Sequence, residues 1–424
     1  MQQVIKRNLS LLIFVIFVAW LGLGFPTNKQ GVQSPVISAS QLAVPCEPGS
    51  ALPNLTLNED GTQAILSWVQ RNSEGVSSLM ISEFVMKSGW TQPEEVVSGD
   101  TWFVNWADFP SVSVLDDGTR AVHWLDKISA DTYAYGIKVS IKKKDGIWSE
   151  PVIPHSDISP AEHGFLAMRS LGDRFYLTWL DGRETLSGKP MTLRATTIDA
   201  DGTVAEDYLL DDSVCDCCPV DALVSEDEAV VFYRDRDHLG VRDIAWLKDP
   251  RISTTSDDSG LIHEDNWILP GCPVNGPAVA GNPDQWATAW YTEADRIDDS
   301  EGGAGAVLLR ESGKDARDDQ VYRLDRGNPL GRVDIISLRD GSYVVSWLEK
   351  SGASAEILLR HWVPGSEPGE TISIGITKAS RESGFPKLIL VENLLMVAYT
   401  AFDENGTSMI KIWADSLLIF STRK

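Results

Sequence analysis

Basic side chains are scarce in this 424-residue chain. It contains 37 Lys and Arg against 61 Asp and Glu, so its formal net charge is −24. Nucleic-acid binding depends on clustered Lys and Arg that release counterions, and this charge balance therefore excludes nucleic acid as the main partner. Anionic membrane surfaces are poor partners for the same reason. The 43% hydrophobic content with 34 Gly and 21 Pro excludes a disordered chain or a multi-pass membrane protein.

A single apolar run, residues 9–25, follows Lys6 and Arg7 near the start of the chain. At about 1.5 Å per residue it spans about 25 Å, slightly less than a bilayer core. No convincing small-x-small cleavage site follows, so a cleaved signal peptide and a retained membrane anchor both stay open for residues 1–30. The preceding basic residues predict export to the periplasm or the extracellular space, with membrane contact only through this segment. We assign residues 31–424 to a single domain.

A short strand that ends on an aromatic residue recurs seven times, at intervals of 52 to 57 residues. These aromatic residues are Trp68, Trp124, Trp179, Tyr233, Trp290, Trp347 and Tyr399. A second strand precedes each of them, and turn pairs such as Asp60-Gly61 between the two strands favour hairpins. A four-stranded unit of about 55 residues repeated around a ring is typical of a β-propeller. We predict an all-β propeller of seven four-stranded blades, with the aromatic residues packed between blades.

The seventh repeat has only three candidate strands. Residues 34–38 have the composition of an outer strand and stand at the expected distance before the first hairpin. Pairing of this N-terminal strand with the last blade closes the ring and removes two open sheet edges. We therefore predict that an N-terminal strand, preceded by one hydrophobic signal or anchor helix, completes the seventh blade.

Propeller geometry brings together the loops that lead into the innermost strands and the loops that follow the aromatic strands. Several arginines and carboxylates occupy these loops, which makes this rim a candidate binding site. The predicted ligand-binding residues are Arg234, Arg236, Arg332, Asp334, Asp221, Asn275, Glu162 and His163. The alternative is that these charges only pair with one another and keep the loops solvated. No catalytic residue and no cofactor are assigned.

All five cysteines, Cys46, Cys215, Cys217, Cys218 and Cys272, fall in the loops that lead into innermost strands. A disulfide from Cys272 to one member of the 215–218 cluster would join adjacent blades, and Cys46 could take another member. Five cysteines leave one over unless a vicinal Cys217–Cys218 bond or a metal uses it. A thiolate site for copper(I) or zinc and a redox-active thiol are the alternatives.

Degenerate Asp-box-like turns occur at residues 144–149, 88–90 and 265–267. With the repeat pattern, they make the chain resemble the sialidase-like (BNR-type) β-propeller proteins of exported bacterial type. Residues 214–219, 271–277 and 331–334 are also similar to segments of exported sialidase-like proteins. The chain lacks a full Asp-box and an Arg-Ile-Pro segment, and sialidases form six-bladed rings, which is the alternative blade number. The resemblance therefore implies a glycan-like ligand and assigns no arginine triad.

The sequence thus predicts an exported propeller that binds a small or glycan-like ligand at the cysteine- and arginine-lined rim. One alternative is a glycoside hydrolase for carboxylate-bearing sugars, which would use Arg234, Arg236 and Arg332 for charge recognition. Another is a metal- or thiol-redox protein that uses the cluster from Cys215 to Cys218. A protein-interaction scaffold is a further alternative, because propellers of that kind leave no local sequence signature.

Overall fold

The seven repeats form seven separate antiparallel sheets in the structure, which is a computed structural model. The described residues are 40–254, 258–294, 305–317 and 319–420. The apolar run at residues 9–25 and the strand predicted at residues 34–38 lie outside them, so the boundary between residues 1–30 and the rest stays a prediction. Within the described part, every helix is too short or too polar to cross a membrane.

Each sheet is one blade, and its strands run in chain order from the central channel outward, except that β1 forms the outer edge of the last blade. Blade 1 contains β2 (Ser50–Leu57), β3 (Gln63–Arg71), β4 (Ser77–Val85), β5 (Gly89–Trp90) and β6 (Glu94–Gly99); blade 2 contains β7 (Val112–Val114), β8 (Arg120–Lys127) and β9 (Tyr135–Lys142). Blade 3 contains β10 (His163–Leu171), β11 (Arg174–Asp181), β12 (Met191–Asp199) and β13 (Tyr208–Val214); blade 4 contains β14 (Asp221–Val224), β15 (Ala229–Arg234), β16 (Ile244–Lys248) and β17 (Ser259–Leu261).

The remaining three blades follow the same plan. Blade 5 contains β18 (Ala278–Asn282), β19 (Gln285–Thr292), β20 (Ala306–Ser312) and β21 (Tyr322–Arg323); blade 6 contains β22 (Pro329–Ser337), β23 (Tyr343–Ser351), β24 (Ser354–Trp362) and β25 (Ile372–Lys378). Blade 7 contains β26 (Lys387–Val391), β27 (Leu394–Phe402), β28 (Ser408–Ser416) and, at its outer edge, β1 (Ser40–Leu42). Short 3-10 helices occur at Thr185–Ser187, Arg381–Ser383 and Leu417–Phe420.

The predicted seven-bladed ring is confirmed, and the six-bladed alternative is wrong. Blade 2 is the most irregular, since its fourth strand is reduced to a single antiparallel bridge between Val139 and Val152. Closure by an N-terminal strand is also confirmed: Ser40 pairs with Ala414 and Leu42 with Ile412. The strand in this position is Ser40–Leu42, a few residues after the predicted segment.

Every repeated aromatic residue is buried, and each packs against the preceding blade. Trp179 of blade 3 lies in one cluster with Leu115 and Ile137 of blade 2. Trp68 of blade 1 lies in one cluster with Met396 of blade 7, so the same contact closes the ring. The predicted packing between blades is therefore confirmed, and the hydrophobic core consists of seven interfaces instead of one centre.

Backbone irregularities mark the start of three innermost strands. Leu52, Phe165 and Arg332 have positive φ angles of 57°, 55° and 56°, and a register shift lies beside each of them. Bulges of this kind bend a strand and re-aim its side chains. They lie in blades 1, 3 and 6, in the part of the strand that the preceding loop enters, and so they shape the face on which the candidate site lies.

The packing between blades generates a stability prediction. Ile65 is fully buried in the cluster between blades 1 and 2, whereas Ile147 is 89% exposed. Ile65→Ala should lower the free energy of unfolding by about 2–5 kcal/mol, because it leaves a cavity at the interface. Ile147→Ala is the matched control and should change it by less than about 0.5 kcal/mol. Urea unfolding followed by tryptophan fluorescence measures both, and equal effects would contradict the interface assignment.

Candidate functional site

The loops that were predicted to converge form a groove of about 860 Å³ across blades 2, 3 and 4. Its walls come from the loops that follow β8, β11 and β15, and from the loops that lead into β10 and β14. Glu162 and Arg236, two of the predicted ligand-binding residues, line the groove together with Asp216, Asp237 and His238. This volume lies within the range of about 300–1,000 Å³ that small-molecule sites occupy.

Glu162 is the most perturbed carboxyl group of the groove. The hydroxyl group of Tyr135 donates a hydrogen bond to its Oε1 atom at 2.5 Å and lies 3.4 Å from a carboxylate oxygen of Asp108. Burial, with a smaller contribution from the nearby charge of Asp216, raises the pKa of Glu162 to about 7, against the lowering effect of the hydrogen bond from Tyr135. Glu162 is therefore largely protonated in mildly acidic solution, where it can donate a proton or a hydrogen bond.

Asp216 and Arg236 form an ion pair on the groove wall. The Nη1 atom of Arg236 lies 3.1 and 3.2 Å from the two carboxylate oxygens of Asp216, and Arg242 approaches the same carboxylate at 3.7 Å. Both side chains of the pair are more than one-third exposed. An exposed pair is worth little to stability, so its hydrogen-bonding capacity is available to a ligand.

Two apolar side chains border these polar groups. Tyr133 and Leu186 line the groove and are 64% and 73% exposed. The ring of Tyr133 is held on one side by an edge contact with Phe103, at a centroid distance of 6.4 Å. The groove therefore offers an aromatic surface beside a carboxyl group and an ion pair.

His163 lies behind the groove and does not reach its surface. It is fully buried, stacks on His155 at a centroid distance of 4.2 Å, and its Nδ1 atom is 3.1 Å from Asp181. Asp181 also accepts two hydrogen bonds from the Arg183 guanidinium, at 2.7 and 2.8 Å. The observed contacts of His163 are structural, and its ligand-binding role stays a prediction.

Arg234 and Asn275 are engaged with backbone groups. The Arg234 guanidinium is buried and donates to the carbonyl oxygens of Asn275, Arg242 and Tyr291 at 2.6–3.1 Å. The Asn275 side chain accepts a hydrogen bond from the Arg332 backbone N–H at 2.7 Å. These contacts join blades 4, 5 and 6, and the ligand-binding role of the two side chains stays a prediction.

Arg332 lies on blade 6, away from the groove. It is buried, donates to the Ser380 carbonyl at 2.7 Å, and lies 4.7 Å from the ring centroid of Trp106. Burial, together with the charge of Arg381, lowers its pKa to about 10. The structure therefore does not bring Arg234, Arg236 and Arg332 to one position where they could share a carboxylate.

Asp221 and Asp334 line the central channel, a cavity of about 510 Å³. Asp221 accepts a hydrogen bond from the Val279 N–H at 3.0 Å, and Asp334 accepts one from the Leu388 N–H at 2.7 Å. Each bond connects one innermost strand to the next blade. The observed contacts of these two predicted site residues are structural, and their ligand-binding role stays a prediction.

The cysteine predictions are confirmed in part. Cys217 and Cys272 form a disulfide with a Cα–Cα distance of 6.1 Å, which joins the loops leading into blades 4 and 5. Cys46 is a free thiol packed between blades 7 and 1, so the disulfide that it could have made with the cluster is not formed. Burial raises the pKa of Cys46 to about 12. Cys215 and Cys218 are free, buried thiols, and the vicinal bond between Cys217 and Cys218 is not formed.

The sulfur atoms of Cys215, Cys217 and Cys218 lie within 4.8 Å of one another, which makes this cluster the candidate for a soft metal ion. With Cys217 bonded to Cys272, two thiols are left as ligands. Structural zinc sites use four protein ligands and catalytic ones three, so the cluster as it stands falls short of either. A metal at this cluster stays a prediction.

Sequence reasoning missed Asp108, Tyr135 and Asp216 as members of one polar group. Asp108 and Asp216 stand in loops that were assigned to the correct face, and their position in those loops was the available signal. Tyr135 begins the third strand of blade 2, where its side chain is buried beneath Phe103 at a ring centroid distance of 3.9 Å. Nothing in the aromatic repeat indicated that residue.

No protein-family model matches the chain, and no curated protein matches it. Among solved structures, it is similar to the α-L-arabinanase of Penicillium chrysogenum complexed with arabinobiose, with 12% identity, a TM-score of 0.48, and coverage of 89% of this chain and 97% of that one. It is also similar to the β-propeller domain of the Trilobed protease from Pyrococcus furiosus, with 10% identity, a TM-score of 0.46, and coverage of 87% and 97%.

A third similar structure is the sialidase of Trypanosoma rangeli, with 11% identity, a TM-score of 0.44, and coverage of 76% of this chain and 55% of that one. Values this low describe the path of the chain and identify no function. The propeller fold implied by the resemblance to sialidase-like proteins is confirmed by the seven sheets themselves. The BNR type and export of the protein stay predictions.

The buried carboxyl groups generate a pH prediction. Burial raises the pKa of Asp108 from 3.8 to about 8, so between about pH 4 and 8 the folded protein binds a proton that the unfolded chain has lost. This contribution to stability is present at low pH and is lost as the pH rises through about 8. Asp108→Asn should therefore flatten the fall in unfolding free energy across this range, by up to about 1.4 kcal/mol per pH unit.

Urea unfolding at several pH values between 5 and 8.5 measures this slope. Asp60→Asn is the control, because Asp60 is exposed and hydrogen bonds from Thr62 keep its pKa below the ordinary value. The control curve should run parallel to that of the unmodified protein. Unchanged slopes for both variants would show that Asp108 is ionised in the folded state.

Proposed function

We propose that the protein is an exported β-propeller that binds a small, neutral, glycan-like ligand in the groove formed by blades 2, 3 and 4. The observation that carries this proposal is the combination of a protonatable Glu162, the exposed Asp216–Arg236 pair and the exposed Tyr133 ring in one cavity of about 860 Å³. The surface disulfide between Cys217 and Cys272 supports an oxidising, extracytoplasmic compartment.

The chemistry of the groove suits sugar hydroxyl groups. Carboxylate and guanidinium groups make charge-assisted hydrogen bonds, which are stronger than bonds between neutral groups. An aromatic ring presents a flat apolar surface against which the C–H face of a sugar ring can pack. Tyr133 supplies such a surface next to Asp216 and Arg236.

The charge of the groove favours a neutral ligand over a carboxylate-bearing one. The groove is lined by four acidic residues and two basic ones. The acidic residues are Asp131, Glu162, Asp216 and Asp237, and the basic ones are Lys189 and Arg236. The overall charge of −24 adds a field that repels anions. Of the three arginines considered for carboxylate recognition, Arg236 alone lines the groove.

Glycoside hydrolysis is the second candidate function, and the raised pKa of Glu162 favours it. Glycosidases use one protonated carboxylic acid that donates to the leaving oxygen and a second, ionised carboxylate on the other side of the bond. Glu162 would be the acid, and Asp216, paired with Arg236, would be the ionised partner. Neither candidate function requires a cofactor, and the central channel residues take no part in either.

The binding proposal predicts a loss of affinity when the groove side chains are removed. Arg236→Ala should weaken binding by at least about tenfold, which corresponds to about 1.4 kcal/mol, because it removes the exposed guanidinium donor from the groove wall. Isothermal titration calorimetry with cellobiose, xylobiose, maltotriose and arabinobiose, and with sialyllactose as the anionic comparison, measures this effect. Arg174→Ala is the matched control, since Arg174 begins β11, is half-exposed and pairs with Asp173. Equal losses in the two variants would contradict the assignment to this groove.

The hydrolysis candidate predicts a dependence on the proton of Glu162. Turnover of 4-methylumbelliferyl glycosides should fall as the pH rises through about 7, and Glu162→Gln should lower it by about 10²–10⁴-fold. Fluorimetric rate measurements from pH 5 to 9 test both expectations. Binding without turnover by the unmodified protein would remove the hydrolase candidate and leave the binding proposal intact.

A further inference from the structure

Four cysteines are brought together at the junction of blades 4 and 5. The disulfide between Cys217 and Cys272 lies at the surface, where Cys272 is exposed. Directly behind it, Cys215 and Cys218 are 0% and 1% exposed, and their sulfur atoms are 3.6 Å apart. The sulfur atoms of Cys215 and Cys218 both lie within 4.8 Å of that of Cys217. A buried dithiol therefore stands next to a surface disulfide.

The surroundings of Cys215 favour its thiolate form. Cys218 shares a hydrogen bond with Cys215, and the Nη1 atom of Arg242 donates to the Cys215 sulfur at 3.0 Å. The buried Arg242 guanidinium beside this sulfur stabilises the negative charge of a thiolate at Cys215. The thiolate is the nucleophile in thiol–disulfide exchange.

We propose that Cys215, Cys217, Cys218 and Cys272 form a thiol–disulfide exchange site in which the buried dithiol reduces the surface disulfide, and the resulting surface dithiol reduces a small disulfide in solution. This activity is distinct from the ligand binding proposed for the groove. It makes use of two buried thiols and one exposed sulfur that the groove does not require.

The internal reaction has two steps. The Cys215 thiolate attacks the sulfur of Cys217, a new Cys215–Cys217 bond forms, and Cys272 leaves as a thiolate. Cys218 then attacks the Cys215 sulfur, passing its proton to the released thiolate of Cys272, and Cys217 leaves as a thiolate. The product has a Cys215–Cys218 disulfide and a reduced Cys217–Cys272 pair, so the number of electrons and protons is unchanged.

The external reaction uses the exposed position of Cys272. The Cys272 thiol passes its proton to the Cys217 thiolate and then attacks one sulfur of a small-molecule disulfide, which releases one thiolate that takes a proton from water. Cys217 then attacks the mixed disulfide, releases the second thiol and restores the Cys217–Cys272 bond. The net result is oxidation of the buried dithiol by two electrons and reduction of one external disulfide to two thiols.

Trapping with N-ethylmaleimide tests the internal reaction in the full chain, in a Cys46→Ser background so that the unrelated free thiol is absent. The folded protein is incubated with the reagent at pH 8, and its peptides are mapped without reduction. We expect the reagent on Cys217 and Cys272 together with a Cys215–Cys218 disulfide. An intact Cys217–Cys272 disulfide, with or without reagent on Cys215 and Cys218, would overturn the proposal.

Two variants separate the steps. Cys218→Ser should stop the reaction after the first step and give a Cys215–Cys217 disulfide with reagent on Cys272 alone. Arg242→Gln should slow labelling about tenfold, because it removes the donor to the Cys215 sulfur, whereas the exposed Arg251→Gln control on the same blade should not. Equal labelling rates in the two arginine variants would contradict the role given to Arg242.

Oxidised glutathione tests the external reaction. The Cys46→Ser protein should release two glutathione molecules per chain and end with both disulfides formed. A chain that also carries Cys217→Ser and Cys272→Ser keeps only the buried dithiol, and we expect its oxidation by glutathione to be at least tenfold slower. Equal oxidation rates would show that the surface pair is not an intermediate and would overturn this part of the proposal.

Discussion

The contact of each aromatic strand with the preceding blade is the interaction on which the structure depends. A four-stranded blade has two apolar faces and cannot bury both alone, so neighbours on each side are needed. The seven contacts close the ring because β3, which carries Trp68, packs against blade 7. β1 then covers the outer edge of that blade. Closure also fixes where loops can lie, because every loop before an innermost strand emerges on one face.

A second, polar constraint operates at the channel wall. Asp108, Asp221 and Asp334 each accept a backbone N–H from the innermost strand of the following blade, at 2.7–3.0 Å, and Asn275 does the same for Arg332. Buried backbone donors must be satisfied, and the innermost strands have no neighbour in their own sheet on the channel side. The need to satisfy these backbone donors explains why acidic and amide residues occupy this position in the repeats, and the explanation requires no ligand.

This constraint explains what the sequence could and could not predict. The aromatic spacing predicts the number of blades and the face of the ring on which each loop lies, because both follow from a repeat that is regular along the chain. Side-chain direction inside an irregular loop has no such regularity. Arg234 ends β15 and is buried among carbonyl groups, whereas Arg236, two residues later, lines the groove. The positive φ of Arg332 likewise turns that strand where no sequence pattern marks a bulge. The face was therefore predictable, whereas only two of the eight predicted ligand-binding residues, Glu162 and Arg236, line the groove.

One four-residue loop carries both proposed chemistries. Cys215 and Cys218 face inward, while Asp216 and Cys217 face outward to the ion pair and the disulfide. The bond from Cys217 to Cys272 limits the motion of Asp216, and a preordered wall lowers the entropy that a ligand must overcome. Thermodynamic linkage between two binding equilibria is reciprocal. A ligand that binds more tightly when Cys217 is bonded to Cys272 must therefore also favour that disulfide over the Cys215–Cys218 disulfide. Ligand binding in the groove and the disulfide pairing of the four cysteines are therefore coupled. The strength of this coupling depends on how far the position of Asp216 differs between the two disulfide isomers.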